Sequence, residues 1–369
     1  MRQKLPVSCR QLFLSILQEI DMKKIKGPAI LLAQFLSDKK PFNNLQDITA
    51  WAKALGYEGV QIPANEKSLI DIDLAAESKT YCDELKGKCN GLAITELSSH
   101  IFGQLVAVHP SYDDLFDSFT EPPFRGNPKV RQKWAVEKMI NTIKASANLG
   151  LSVLPSFSGA LMWPLMYPWP QRPAGLIEEG FKALAGLWKP ILDAADEYNV
   201  DLAFELHPGE DLHDGTSFEM FLGAAGGHPR INILYDPSHF VLQCLDYIRF
   251  IEIYGEKIKA FHVKDAEFNP SGKQGVYGGY SPWQNRAGRF RSLGDGQVDF
   301  KRVFTALTEA GYDSWAVLEW ECCIKDSSQG AEEGAPFIRS MLIEPAAKAF
   351  DDFAGGSVDN KIIQKVLGL

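Results

Sequence analysis

Four apolar runs in the second half of the chain each end in ionisable residues: Ala203-Phe204-Glu205-Leu206-His207, Leu234-Tyr235-Asp236-Pro237-Ser238-His239, Ala260-Phe261-His262-Val263-Lys264-Asp265 and Val317-Leu318-Glu319-Trp320-Glu321. Charge inside an apolar run needs a partner or a ligand. One such group reads as a structural ion pair, but four at equivalent places on successive strands converge on one spot. Glu205, Asp236 and Glu319 together would repel and raise one another's pKa. A divalent cation relieves that repulsion. With His262 as the nitrogen donor, the set suits Mn²⁺ first, with Mg²⁺, Co²⁺ or Zn²⁺ as alternatives. His207 and Glu321 follow a ligand by two residues, share its strand face, and are read as substrate contacts.

The elements that must position these groups alternate along the whole chain. Short apolar strands are expected at 28–36, 59–64, 92–100, 153–159, 200–207, 231–235, 258–264 and 315–320. Helical patterns fall between and after them at 44–55, 69–85, 128–149, 175–198, 217–225, 245–255, 300–310 and 334–353, with Asp299 placed to cap one of them. Eight β-then-α units with continuously apolar strands predict a single-domain α/β fold, a (β/α)8 TIM barrel. An open doubly wound sheet would want a glycine-rich turn after the first strand, and QFLSDKKPF has none. Residues 1–21 read as an N-terminal extension and 22–369 as the barrel. Three long loops, 101–127, 160–174 and 266–298, follow strands and belong to the face where barrels do chemistry. The second, ALMWPLMYPWPQRPA, reads either as a packed surface loop or as a stiff aromatic rim over a ligand.

Composition excludes several classes. The 369 residues carry a net charge of −9, which argues against a nucleic-acid surface. No apolar run is long enough to span a membrane. Six cysteines, at 9, 82, 89, 244, 322 and 323, have no CxxC spacing and read as reduced thiols of a cytoplasmic protein. Arg286, Arg289 and Arg291 share one loop and read as solvated or as an anion site. His100 is expected near the mouth, and His109, His213 and His228 in loops.

The pattern FELHP…YDPSH…FHVKD…LEWE resembles the xylose isomerase-like TIM barrel superfamily of sugar isomerases, epimerases and related lyases. The resemblance implies that Glu205, Asp236, His262 and Glu319 hold one divalent metal, that Glu205 and Glu319 are the acid/base pair, and that His239 contacts a substrate oxygen. It implies proton abstraction through a metal-stabilised enediolate. Proton return then gives epimerisation or isomerisation, and loss of a β-leaving group gives elimination. Ketohexose 3-epimerases of the family carry an arginine shortly after the metal histidine. HVKDAEF has none, and its His-x-Lys-Asp resembles inosose dehydratases. Lys264 is expected to hold a substrate oxygen or to pair with Asp265 or a loop carboxylate. Arg291-Ser-Leu-Gly-Asp-Gly resembles the family's turn before the seventh helix, which makes Arg291 a substrate contact. The expected function is a metal-dependent isomerase or epimerase of a ketose or keto-sugar. The alternative is a lyase or dehydratase of a keto-sugar, keto-inositol or 3-keto-glycoside. An apurinic endonuclease-like hydrolase, with three zincs, would want more histidines than the seven present. The expected partner is a small sugar or sugar derivative, not nucleic acid or membrane. Analogy with other barrels leaves a homo-oligomer open.

Overall fold

The computed structural model describes residues 24–344 and 360–369. The expected extension 1–21, Cys9, and residues 345–353 of the expected terminal helix lie outside the described residues.

Eight parallel strands form the barrel: β1 (Lys26–Leu31), β2 (Gly59–Pro63), β3 (Ala93–Ser98), β4 (Val153–Ser156), β5 (Asp201–Glu205), β6 (Ile231–Tyr235), β7 (Ile258–Val263) and β10 (Trp315–Leu318). Their order is β3-β2-β1-β10-β7-β6-β5-β4, so the first and last strands are neighbours, with Ala29 opposite Val317 and Ile30 opposite Leu318. At the remaining joint, between β3 and β4, the Ser99 N–H and Oγ both donate to the Pro155 carbonyl, at 2.9 and 2.8 Å. An open doubly wound order is thereby ruled out.

Strand alternation explains how an apolar sequence delivers polar groups to one point. Side chains at i and i+2 share a face. Outward positions such as Phe204, Tyr235, Phe261 and Leu318 join the large core beneath the helices. Inward positions begin small, with Ala203, Leu234 and Ala260 on one side of the lumen and Ala29, Leu31 and Val317 on the other. Two residues further along, the same inward faces carry Glu205, Asp236, His262 and Glu319. The barrel is therefore plugged below and polar at its carboxyl-terminal mouth.

Most helices follow the expected spacing; Pro128–Leu149 matches it residue for residue. Asn44 caps Leu45–Ala54, and Asp299 caps Phe300–Glu309 by accepting from Arg302 N. The helix expected at 69–85 is instead two, Ile72–Glu77 and Lys79–Lys88. Ser78 between them is extended, and its side chain caps the second by accepting from Tyr81 N. The helix expected at 334–353 begins earlier, at Ser327, capped by Asp326, and ends at Met341, and a further helix spans Asn360–Leu367. The loop 101–127 contains short helical turns, the first at His100–Gln104. The loop 266–298 is built around an antiparallel hairpin, β8 (Asp265–Phe268) with β9 (Gly288–Arg291).

Candidate active site

Glu205, Asp236, His262 and Glu319 bring one ligand atom each to within 4.8 Å of one another. They are the single such group among the described residues that joins all four strands. Glu205 Oε2 and Asp236 Oδ2 are buried with no aligned hydrogen bond, although His100 Nε2 lies 2.9 Å from the first and His239 Nε2 3.3 Å from the second. His262 Nδ1 faces Glu319 Oε2 at 3.0 Å. Three carboxylates lie beside one ammonium, that of Lys264, which is 3.2 Å from Glu319 Oε2 and 3.7 Å from Asp236 Oδ2. The carboxylates outnumber that ammonium, and although burial disfavours charge on His262, Glu319 and Glu205 push it up to about 9, so the site draws positive charge to itself. A divalent cation supplies the balance, and the carboxylate oxygens supply its donors. The donor set therefore fits the metal expected from sequence.

Histidines flank Glu205. His100 Nε2 lies 2.9 Å from its Oε2, and His239 Nε2 lies 3.0 Å from its Oε1. Ser98 Oγ, 2.6 Å from Nδ1, orients His100. Burial alone would raise the Glu205 carboxyl, but the two histidines hold it well below the usual carboxylate range. Burial likewise opposes ionisation of Glu319, and Lys264 and His262 override it. Burial pushes Asp236 up to about 6 against the pull of His239 and Lys264. Burial also disfavours charge on Lys264, yet Glu319, Glu321 and Asp236 keep its pKa well above the ordinary value. His207 is pushed down to about 3 by burial and by His239, so it is a neutral imidazole at neutral pH.

A cleft of about 920 Å³ opens over this cluster. Gln34, His207, His239, Gln284, Arg286 and Glu321 contribute to its polar part, and Leu242, Trp283, Phe290 and Trp320 to its apolar wall. Phe290 comes from the hairpin and covers Lys264, whose Nζ is 4.4 Å from the ring centre. Lys264 reaches Glu321 Oε2 at 2.8 Å and does not pair with Asp265. Asp265, on the opposite strand face, accepts the N–H groups of Ala266, Gly294, Gly296 and Val298. Arg291 and Arg289 lie across β9 from Phe290 and both donate to Glu267 Oε1, at 2.8 and 2.5 Å. Arg291 is therefore engaged inside the hairpin and does not line the cleft. Arg286 stacks on Trp283 at 4.0 Å and donates to Ser281 and Gly279 carbonyls. None of the three arginines is simply solvated. The aromatic loop is tethered by buried Asp211, whose carboxylate accepts the N–H groups of Leu161, Met162 and Trp163 at 2.6–2.9 Å. Its Tyr167 meets Tyr277 of the hairpin loop edge-on at 5.8 Å.

Sequence reasoning missed Gln34, Gln61 and Glu96. Gln34 Nε2 donates to Glu319 Oε1 at 3.1 Å. Gln61 on β2 lies 3.0 Å from His262 and 3.2 Å from Glu96 on β3. The available signal was the same one: polar residues on inward positions of apolar strands, in GVQIP and ITELS.

A model of the xylose isomerase-like TIM barrel family matches residues 49–341. Among curated relatives, inosose dehydratase of Bacillus velezensis is 28% identical over 155 residues, covering 41% of this chain and 51% of the relative. Inosose dehydratase of Geobacillus thermodenitrificans is 27% identical over 166 residues, covering 45% and 54%. The chain thus spans about half the length of the curated relatives it matches. In fold, it is similar to the 3-keto-D-glucoside 4-epimerase of E. coli (TM-score 0.56, 13% identity, 85% of this chain and 98% of that one). It is similar also to a probable 3-DHS dehydratase of Bacillus anthracis (TM-score 0.56, 15% identity, 85% and 99%).

Proposed function

Because the chain belongs to the xylose isomerase-like TIM barrel family, we propose that it is a divalent-metal-dependent enzyme that removes the proton beside the carbonyl of a keto-sugar or keto-cyclitol, with loss of a β-hydroxyl as water. The observation that carries the elimination outcome is Lys264, a buried ammonium set among Glu319, Glu321 and Asp236 beneath Phe290 of the cleft wall. Inosose dehydratase relatives support the same outcome.

Glu205, Asp236, His262 and Glu319 would hold the cation, Mn²⁺ being our first choice. When bound, it supplies a Lewis acid that withdraws charge from a carbonyl oxygen. Glu205 and Glu319, both held ionised, are the proton acceptors on either flank of the cluster. His207, a neutral imidazole, and His239 face the cleft and orient hydroxyls. Lys264, kept charged by Glu319, Glu321 and Asp236, would give a proton to the departing hydroxyl so that it leaves as water, and the glutamate that took the α-proton would return one to the amine. Phe290 excludes water from that ammonium. Glu321 fixes its direction.

A second reading, epimerisation or isomerisation, is favoured by two glutamates in one cluster, since the second can return the proton. An assay in D₂O separates them. The Mn²⁺-loaded protein is offered a panel of keto-sugars and keto-cyclitols, and α-hydrogen exchange is followed by NMR alongside ultraviolet absorbance of an unsaturated product. Exchange with an unsaturated product supports elimination. Exchange with an epimer or isomer and no unsaturation supports the second reading, and no exchange with any of them refutes both. The free state of all described cysteines supports a cytoplasmic setting, and among the described residues no helix is long and apolar enough to cross a membrane.

A further inference from the structure

We infer that Gln61 and Glu96 form a buried relay that fixes which nitrogen of His262 faces the metal cluster. The inference rests on the metal reading of that cluster. Gln61 sits on β2 and Glu96 on β3, and both are essentially inaccessible to solvent. Gln61 Nε2 donates to Glu96 Oε2 at 3.2 Å. That bond points the amide nitrogen at Glu96 and turns its oxygen toward His262. Gln61 Oε1 meets His262 Nε2 at 3.0 Å. An amide oxygen only accepts, so the proton of a neutral His262 belongs on Nε2. Nδ1 is then left with its lone pair, and Nδ1 is the atom that faces Glu319 Oε2 at 3.0 Å. Two lone-pair donors at that separation suit a shared cation.

Glu96 has no other evident task. Its Oε1 finds no hydrogen-bond partner among the described residues, and it lies outside the residues that line the cleft. A carboxylate in that position is costly unless it does something. Orienting the amide is what its contacts do. Gln61 and Glu96 are positioning residues: they act through His262 and touch no substrate. Partners of this kind for metal-bound histidines typically change metal affinity by about 10–100-fold when removed.

The test measures Mn²⁺ affinity of the whole protein by electron paramagnetic resonance, with thermal melting of the metal-free protein as a control for folding. Wild type should bind one Mn²⁺. Gln61→Met, close in size but without the acceptor, should weaken binding about 10–100-fold. Exchanging the pair, Gln61→Glu with Glu96→Gln, keeps an acceptor toward His262 and a donor–acceptor bond behind it, and should recover most of the affinity. Loss of packing alone would not be rescued by the exchange. Glu96→Gln alone leaves the amide free to turn either way, so it should give an intermediate loss; it is the variant to read if Gln61→Met fails to fold. A Gln61→Met protein that melts like wild type and binds Mn²⁺ equally well would overturn the relay. So would an exchanged pair that melts like wild type yet binds no better than Gln61→Met. No binding by wild type would instead overturn the metal reading on which the relay stands.

Discussion

Glu205 and Glu319 differ in company although they share a cluster. Histidines bracket the first, while Gln34, His262 and Lys264 surround the second. Glu205→Gln and Glu319→Gln keep size and an oxygen ligand but remove the proton acceptor. Each should cut turnover on the order of 10²–10⁴, with a smaller loss of Mn²⁺ binding; turnover of Glu319→Gln close to wild type would remove β10 from the chemistry. Glu210 gives a prediction about stability. It is buried, has Ser158 Oγ at 3.4 Å, and is pushed by burial up to about 8 from an ordinary 4.5. The folded state therefore binds one more proton than the unfolded chain between those values, so stability falls as pH rises through that window, by at most about 1.4 kcal/mol per pH unit. Glu210→Gln should flatten melting temperature against pH between about 5 and 8; an unchanged profile would show that Glu210 is not the group responsible. The four cluster residues were legible because ionisable groups interrupted apolar runs at equivalent strand ends. Gln61 was not, because a neutral amide between Val60 and Ile62 carries no charge to flag it. Glu96, in ITELSSH, sits among polar neighbours that make the strand read as half exposed.

Among the elements, the β8–β9 hairpin had the least sequence signal and the greatest effect on the cleft. Its strands are joined by a long stretch rich in Gly, Ser and Pro instead of a two-residue turn, so no short-range hairpin pattern marked them. The sequence did show alternation: Lys264 inward, Asp265 outward. It did not show that Asp265 would collect three backbone N–H groups from a turn about thirty residues on. Gly294 adopts φ +85°, and at Gly296 an added Cβ would lie 2.1 Å from Asp265 Oδ1, so both glycines are required by this close approach. Asp265→Ala leaves those N–H groups without their acceptor. It should destabilise the protein by on the order of 3 kcal/mol in urea titrations and speed proteolysis within 270–285. If the loop stays as resistant as in wild type, Asp265 is not what holds it. Phe290 would move with the hairpin, so the same variant should expose Lys264.

For the molecule as a whole, the closed barrel was readable from eight strand–helix repeats, whereas the apolar plug of its lumen, Ala203, Leu234, Ala260 and Val317 beneath the cluster, was not read from the sequence. Because the cluster joins β5, β6, β7 and β10, a bound cation cross-links half the barrel. Adding Mn²⁺ to chelator-treated protein should raise the melting temperature, with about 2.7 kcal/mol gained when free Mn²⁺ reaches a hundred times its dissociation constant. Elemental analysis should find one divalent ion per chain. Three zincs would point to the hydrolase reading, and a melting temperature indifferent to Mn²⁺ would argue that nothing binds at the cluster.

The pairing of β1 with β10 also has a consequence for the growing chain on the ribosome. The strand that opens the barrel keeps one edge bare until the last barrel strand is made, because Ala29 and Ile30 find Val317 and Leu318 only then. Glu319 follows that strand directly. A nascent chain therefore carries Glu205, Asp236 and His262 well before it carries Glu319, and this fourth member of the cluster arrives together with the strand that shuts the barrel. Synthesis order makes closure of the fold and completion of the site a single late event, so a chain released before Trp315 would have neither.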